Sequence, residues 1–338
     1  MAEQRITIKS VAKRAGVSTT TVSLVMNNPE TPNIPAETRQ RVLEAARELD
    51  YRPSASARHM RTQKSGLIGF VSDVVATTPF AVDMIRGAQD AAWQQGKVLL
   101  VLNTDNKPDI EQRAIEILLE RRVEGLIYAA MHHQVVSPPV AVREVPTVLL
   151  DCYCEDRSLP SVVPDEVVAG RTATEILLQK GHRRIGFMNH VEPQPATEGR
   201  LKGYQQALAA CGVPFDENLV RSAWCVSQGG YQCALELMQV PDPPTAFFCF
   251  NDPMAMGAYD ALRTLNLRIP DDVAVIGIDN LELIAAHLYP PLSTMALPHY
   301  QMGEWATQYL LKMITDPETT DTCLQHTMEC EFVERASL

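Results

Sequence analysis

No stretch of the 338-residue sequence approaches the roughly 20 apolar residues that a membrane span needs. The first residues, Met1-Ala-Glu-Gln-Arg-Ile-Thr-Ile-Lys9, lack the apolar core of a secretion signal. Both absences lead to the expectation of a cytoplasmic protein with no membrane partner. The eight cysteines, at 152, 154, 211, 225, 233, 249, 323 and 330, form no C-x-x-C pair. Cys225, Cys233 and Cys249 lie in or beside apolar runs, so reduced, buried thiols are expected rather than disulfides or a metal knuckle. There is no G-x-S-x-G, no P-loop, no H-E-x-x-H, and no G-x-G-x-x-G after a strand. His132-His133 stand near a strand end with no third ligand at a convincing spacing. The carboxylates are dispersed, with no catalytic pair readable from spacing. The expectation is a protein that is not an enzyme, with no metal and no cofactor. No repeat of 20–50 residues and no low-complexity tract appear.

Charge is unevenly placed. The chain carries a net −11, yet residues 1–64 carry +5 and the remainder −16. A basic head on an acidic body suits contact with phosphates, although a solvated charged head would look the same. Within that head, Ile8, Val11, Ala12 and Ala15 fall at helical spacing behind Thr7, a suitable N-cap. Ala15-Gly16-Val17 reads as a turn, and Ser18 can cap a second helix running to about Asn27. Val22 and Val25 then face inward, leaving Thr19, Thr20, Ser23 and Leu24 outside. A third amphipathic stretch, with Val42, Ala46 and Leu49 as its apolar face, ends near Tyr51. Three short helices with a glycine turn form the smallest common unit that places a helix in a DNA groove. Residues 52–64 are small, basic and too short to be a stable isolated helix. They read as a linker that becomes helical only when held.

From Gly66 onward, strands alternate with helices. Apolar runs at Leu67–Val71, Val98–Leu102, Leu126–Ala130, Val148–Leu150, Ile185–Met188, Ala246–Phe250 and Val273–Ile278 read as buried parallel strands. The expected fold is α/β: a small all-α helix-turn-helix head (1–51), a linker (52–64), and two doubly wound lobes of periplasmic-binding-protein type (65–338). One lobe takes about 65–163 with 291–325, the other 164–290 with the C-terminal strands. Ligands in such sheets sit at the carboxyl ends of strands. Asp151, Asn251-Asp252 and Asp279-Asn280 stand at such ends, and Thr77-Thr78-Pro79-Phe80 follow the first strand. Carboxylates, an amide and an aromatic ring on one rim suit a sugar, whose hydroxyls need acceptors and whose ring face needs an apolar wall. Helix capping is the competing role for each Asp and Asn. Arg200 can bridge adjacent hydroxyls with its planar fork, or be an ordinary surface arginine.

The order of parts resembles the lactose-repressor (LacI/GalR) family over essentially the whole chain. The resemblance rests on Ile8-Lys-Ser-Val-Ala-Lys-Arg-Ala-Gly-Val-Ser-Thr-Thr-Thr-Val-Ser23, Leu49-Asp-Tyr-Arg-Pro-Ser-Ala-Ser-Ala-Arg58, Arg200-Leu-Lys-Gly-Tyr204, Phe250-Asn-Asp-Pro-Met-Ala-Met-Gly-Ala258, Arg268-Ile-Pro-Asp-Asp-Val-Ala-Val-Ile-Gly-Ile-Asp-Asn280 and Pro291-Leu-Ser-Thr294. It implies a homodimer on two-fold double-stranded operator DNA and a small saccharide effector. DNA contacts would come from Thr7, Ser18, Thr19, Thr20, Ser23, Leu24, Asn27 and Thr38 in the head. In the hinge helix they would come from Ser54, Ala57 and Met60. Effector contacts would come from Thr77, Thr78, Phe80, Asp151, Arg200, Asn251 and Asp279. Leu24 replaces an arginine that reads bases in many members, and Met60 replaces the usual leucine wedge. The chain stops at Leu338 without a leucine heptad repeat, which favours a dimer. The stretches from Ala76, Leu159 and Pro291 look most like the sucrose-operon repressor branch. That implies sucrose or a related fructose- or glucose-containing saccharide. Two rivals remain: a periplasmic-type sugar-binding protein without regulatory role, and a sugar-processing enzyme. The missing signal peptide and the basic head count against the first, the missing nucleophile against the second.

Overall fold

A computed structural model of the chain describes residues 6–27, 34–51, 64–79, 81–318 and 320–338. The hinge positions Ser54, Ala57 and Met60, and also Phe80, lie outside the described residues, as does the side chain of Asn27. The chain divides into two compact units, Met1–Ser65 and Gly66–Leu338.

The first unit holds α1 (Ile8–Ala15), α2 (Thr19–Asn27) and α3 (Ala36–Glu48). Thr7 is extended at the start of α1, and its N–H donates to Ser10 Oγ at 3.4 Å. Gly16 ends α1 in the left-handed region (φ 67°), where a side chain would be strained. Ser18 starts α2, its Oγ accepting from the Thr21 N–H at 3.1 Å. Val11, Val22, Val25 and Val42 are fully buried together, with Ala12, Ala15, Ala45 and Ala46 around them. Alanines at these positions let three short helices approach closely.

The second unit contains two sheets. The first sheet has the order β11-β5-β4-β3-β1-β2, all parallel. Its strands are β1 (Leu67–Ser72), β2 (Val98–Asn103), β3 (Leu126–Val136), β4 (Thr147–Cys154), β5 (Ser161–Pro164) and β11 (Gln325–Met328). The second has the order β12-β10-β9-β8-β6-β7, parallel except for the antiparallel β12. It comprises β6 (Ile185–His190), β7 (Val220–Ala223), β8 (Ala246–Cys249), β9 (Ala274–Asp279), β10 (Ser293–Ala296) and β12 (Glu331–Val333). Central strands such as β4 and β8 are buried on both faces because helices cover both. On the first lobe these are α4 (Val82–Gln94), α5 (Pro108–Glu120) and, from later in the chain, α11 (His299–Thr315). On the second they are α6 (Glu166–Gln179), α7 (Pro195–Ala210), α8 (Ser227–Met238) and α9 (Asp252–Thr264), with the short α10 (Glu282–Ala285) after β9.

The lobe boundaries differ in detail from those expected. β10 pairs with β9, so the chain returns to the first lobe after Ala296 rather than near 291. β11 joins the first sheet beside β5, and only β12 belongs to the second. These are four-residue and three-residue strands of mixed polarity, and neighbouring strands decide their partners. No helix among the described residues is long and apolar enough to cross a membrane.

Candidate functional site

A cavity of about 330 Å³ opens between the two lobes of the second unit. It is at the small end of the range for ligand pockets, the size of a one- or two-ring molecule. The first lobe contributes Met131, His132, His133, Asp151 and Pro164; the second contributes Glu166, His190, Glu192, Arg200, Trp224, Phe250, Asn251 and Asp279, among others. Apart from Arg200, which projects from the helix Pro195–Ala210, these polar groups follow strand ends or sit at one irregularity in the first sheet.

That irregularity is a bulge between β3 and β4. Ala129 pairs with Leu150, and the next pair is Gln134 with Cys152. Four residues, Ala130 to His133, therefore oppose the single Asp151. Asp73, just after β1, holds the bulge by accepting from the Met131 N–H at 3.1 Å. The result pushes Met131, His132 and His133 into the cavity beside Asp151. Asp151 itself has φ 57°, and Asp279 has φ 127°, both in territory that L-residues rarely adopt. Strained backbone of this kind persists where surrounding structure enforces it, and it clusters at binding sites.

On the other side, α6 and α7 pack so closely that a Cβ on Gly203 would lie 2.2 Å from the Val167 carbonyl oxygen. One on Gly170 would lie 2.4 Å from that of Arg200. This approach sets the ion pair between Glu166 and Arg200, in which Nε donates to Oε2 at 2.7 Å. Arg200 Nη1 also donates to the Phe250 carbonyl at 2.5 Å, and its guanidinium lies 4.3 Å from the centre of the Phe250 ring. Burial pushes the Glu166 carboxyl up, but the Arg200 charge, with hydrogen bonding, brings it down to about 2. Gly203→Ala is expected to cost about 1–3 kcal/mol or more by forcing the helices apart. Urea unfolding followed by circular dichroism checks this; an unchanged midpoint would contradict the close packing.

Asp151 is 2% exposed, and its Oδ1 has no hydrogen-bond partner among the described residues. Burial, and then Glu166, pushes its carboxyl well above the usual range, with Arg200 opposing. Asp279 is pushed up in the same way, by burial and then Asp252. His133 packs edge-on against Tyr153, its Nδ1 3.7 Å from Glu166 Oε1, too long for a hydrogen bond. His190 stands between Trp224 and Phe250, 5.6 Å from each ring centre. The wall is thus aromatic on one side and polar on the other.

The expected effector residues are only partly brought together. Asp151, Arg200, Asn251 and Asp279 line this cavity. Asn251 also caps α9, its Oδ1 accepting from the Met254 N–H at 2.9 Å, and its Nδ2 donates to the Cys225 carbonyl at 3.0 Å. Capping and cavity-lining therefore coincide in one side chain. Thr77 and Thr78 do not line it; their hydroxyls donate to the Val74 carbonyl in their own short turn. Asp252 is buried, not part of the lining, accepting from Thr294 Oγ1 at 2.7 Å and the Leu281 N–H at 2.8 Å. Sequence reasoning missed Glu166, His190, Trp224 and Phe250, and set His132 and His133 aside as a failed metal pair. His190 and Trp224 were findable, since they stand at the carboxyl ends of β6 and β7. No group of three or more metal-ligating side chains arises among the described residues.

In the head, Thr7, Ser18, Thr19, Thr20 and Leu24 are exposed, Leu24 by 40%. Ser23 and Thr38 are half-buried. The outer face of α2 is thus formed largely by small hydroxyl side chains with one leucine.

Residues 7–54 match the family described as bacterial regulatory proteins, lacI family. Residues 65–336 match the family of periplasmic binding proteins and the sugar binding domain of the LacI family. The chain is 33% identical to the HTH-type transcriptional repressor PurR of Aliivibrio salmonicida, covering 92% of each chain. It is 33% identical to the ribose operon repressor of Escherichia coli K12, over 95% of this chain and 97% of that one. A crystal structure of the lac repressor dimer bound to operator and the anti-inducer ONPF superposes with a TM-score of 0.80 at 25% identity, covering 99% of both.

Proposed function

The chain belongs to the LacI family of DNA-binding transcriptional repressors with a sugar-binding domain, and we propose that it is released from its operator when a small saccharide enters the interlobe cavity. The observation that carries this reading is the cavity itself. It joins carboxylates, an amide, a guanidinium and aromatic faces contributed by two lobes. Such a surface satisfies hydroxyls and covers an apolar ring face in one step. A sugar that touches both lobes favours their closed arrangement, and it shifts the DNA-binding equilibrium only by its differential affinity for the two states. Coupling of about 1–3 kcal/mol is typical, or roughly 5–150-fold in operator affinity.

Sucrose is the resemblance-based choice of effector. The volume, about 330 Å³, also suits smaller sugars of the ribose or hexose class. A homodimer with Thr19 and Thr20 at base edges, and with Ser54, Ala57 and Met60 in a minor-groove hinge, completes the proposal.

The test is a gel shift on a palindromic site with a panel of mono- and disaccharides. An inducing sugar lowers operator affinity by about 5–150-fold. Operator affinity should also fall steeply with salt, by about 0.9 log units per neutralised phosphate per log unit of salt. Unchanged DNA affinity with every sugar would defeat induction. A rise with sugar would make the ligand a corepressor.

A further inference from the structure

We infer that Leu24, on the outer face of α2, reads the 5-methyl group of a thymine in each half-site of the operator. This rests on the reading above that α2 meets base edges of a two-fold site, and it adds the base that a leucine there selects.

The first argument is what the three helices of the head expose. Among the described residues, α1 exposes Lys9 and Lys13, and α3 exposes Glu37, Arg41 and Arg47. In contrast, α2 exposes Thr19, Thr20 and Leu24, none of them charged. Val22 and Val25 are fully buried in the core of the head, so packing fixes which side of α2 faces out. A helix face that stays in water is ordinarily polar or charged. A face that sheds its water against bases is better without ions, because stripping an ion of water is costly. The charge that attracts phosphates comes from elsewhere in the head, as at Lys9 and Lys13. A lone exposed leucine is common on protein surfaces. Leu24 differs in being the large apolar side chain on an exposed helix face without charge.

The second argument is hydrogen bonding. From Thr19 to Asn27 there is no Arg, Lys, Gln, Asp or Glu, and the one amide stands at the last position. Bidentate readout of guanine or adenine needs an Arg, Lys, Asn or Gln. The Ser18 and Thr21 hydroxyls bond to each other at 2.9 Å, and Ser18 Oγ also accepts from the Thr21 N–H at 3.1 Å. Thr19 and Thr20 keep hydroxyls for base edges, but a hydroxyl both donates and accepts and so discriminates little. Leu24 stands one turn beyond Thr20 on the same side and is 40% exposed. Of all the groups on the major-groove edges, the thymine methyl is the apolar one. A leucine pressed against any other edge leaves a base donor or acceptor without a partner. Selection at this position therefore follows the methyl group and not a hydrogen bond.

The experiment starts from a duplex selected out of a random pool by the full chain. Each thymine of the half-site is exchanged for uracil, which removes the methyl and keeps every hydrogen-bonding group. Fluorescence anisotropy at fixed salt reads the affinity. One thymine is expected at which uracil weakens binding about fourfold, or roughly fifteenfold when both half-sites carry it. A G·C pair in its place should cost more, roughly 5–150-fold, and methylating that cytosine at C5 should recover about fourfold. In Leu24→Ala the thymine-to-uracil ratio at that position falls to about one, and in Leu24→Met most of it survives. The ratio compares two duplexes on one protein, so lost folding or lost phosphate contacts would leave it unmoved. Equal affinity for thymine and uracil at every position, or a ratio that persists in Leu24→Ala, overturns the inference while leaving α2 at the base edges. If the pool yields no preferred sequence, the base-edge reading itself fails and the inference falls with it. The same holds if Thr19→Ala, Thr20→Ala and Leu24→Ala all leave the preferred sequence unchanged.

Discussion

Arg200→Ala is expected to abolish the effector response and to destabilise the second lobe by about 3–5 kcal/mol. The side chain is 3% exposed and pairs with a carboxylate that is equally buried. Removing it leaves Glu166 buried, facing only the more distant His133 at 3.7 Å. An uncompensated buried charge is the expensive outcome, far more so than loss of the pair as a whole. The loss of Arg200 also frees the Phe250 carbonyl at the end of β8 and the face of the Phe250 ring. Thermal unfolding should show a drop on the order of 10 °C or more for a unit of this size.

The double variant Arg200→Ala/Glu166→Ala separates the two roles. It removes the stranded carboxylate, so much of the stability should return. Effector binding should not return, because the cavity has lost its only guanidinium among the described residues. Recovery of both properties would reduce Arg200 to a packing residue. Recovery of neither would place the damage in the Phe250 contact rather than in the ion pair.

This behaviour also shows why part of the site was legible in the sequence and part was not. Asp151, Asn251 and Asp279 follow apolar strands, and the strand-end rule points to them without any tertiary information. The head was legible for a similar reason: Val11, Val22, Val25 and Val42 obey helical spacing, and Gly16 marks the turn. Glu166 depends on the short strand β5, which has only four residues and gains its conformation from β4 and β11. The other strands missed, β7 and β10, are equally short. His133 depends on a bulge, a register event between two strands that no single-strand pattern reports. Arg200 stood out as a functional candidate and lines the cavity, but its buried pairing was invisible because it requires two helices to meet at glycines. Thr77 and Thr78 show the converse, since local hydroxyl-to-carbonyl bonds absorb side chains that looked available.

The second large effect concerns pH and Asp252. This carboxyl is fully buried, and burial pushes it up to about 7, with the Thr294 hydroxyl, the Leu281 N–H and the charges of Arg335 and Arg200 pulling the other way. Its folded value therefore lies above its ordinary 3.8, and the folded state holds the proton between the two. Stability from this group is fully present below about pH 4 and is lost as pH rises through about 7. At about 1.4 kcal/mol per unit, the loss is on the order of 4 kcal/mol. Asp151 and Asp279, also raised, act in the same direction, whereas Glu166, held at about 2, acts in the opposite one and only below its ordinary 4.5. Asp252→Asn isolates the contribution. The amide oxygen can accept from the Leu281 N–H, and the amide nitrogen can donate to Thr294 Oγ1 in place of the present bond. Gly277 leaves room for either group, since a Cβ there would lie 2.3 Å from Asp252 Oδ1. Urea midpoints from pH 4 to 8 should fall for the parent chain and flatten for the variant, so that the stability difference between them moves steadily in the variant's favour. A difference independent of pH would mean that Asp252 is ionised throughout, and that its two hydrogen bonds outweigh its burial.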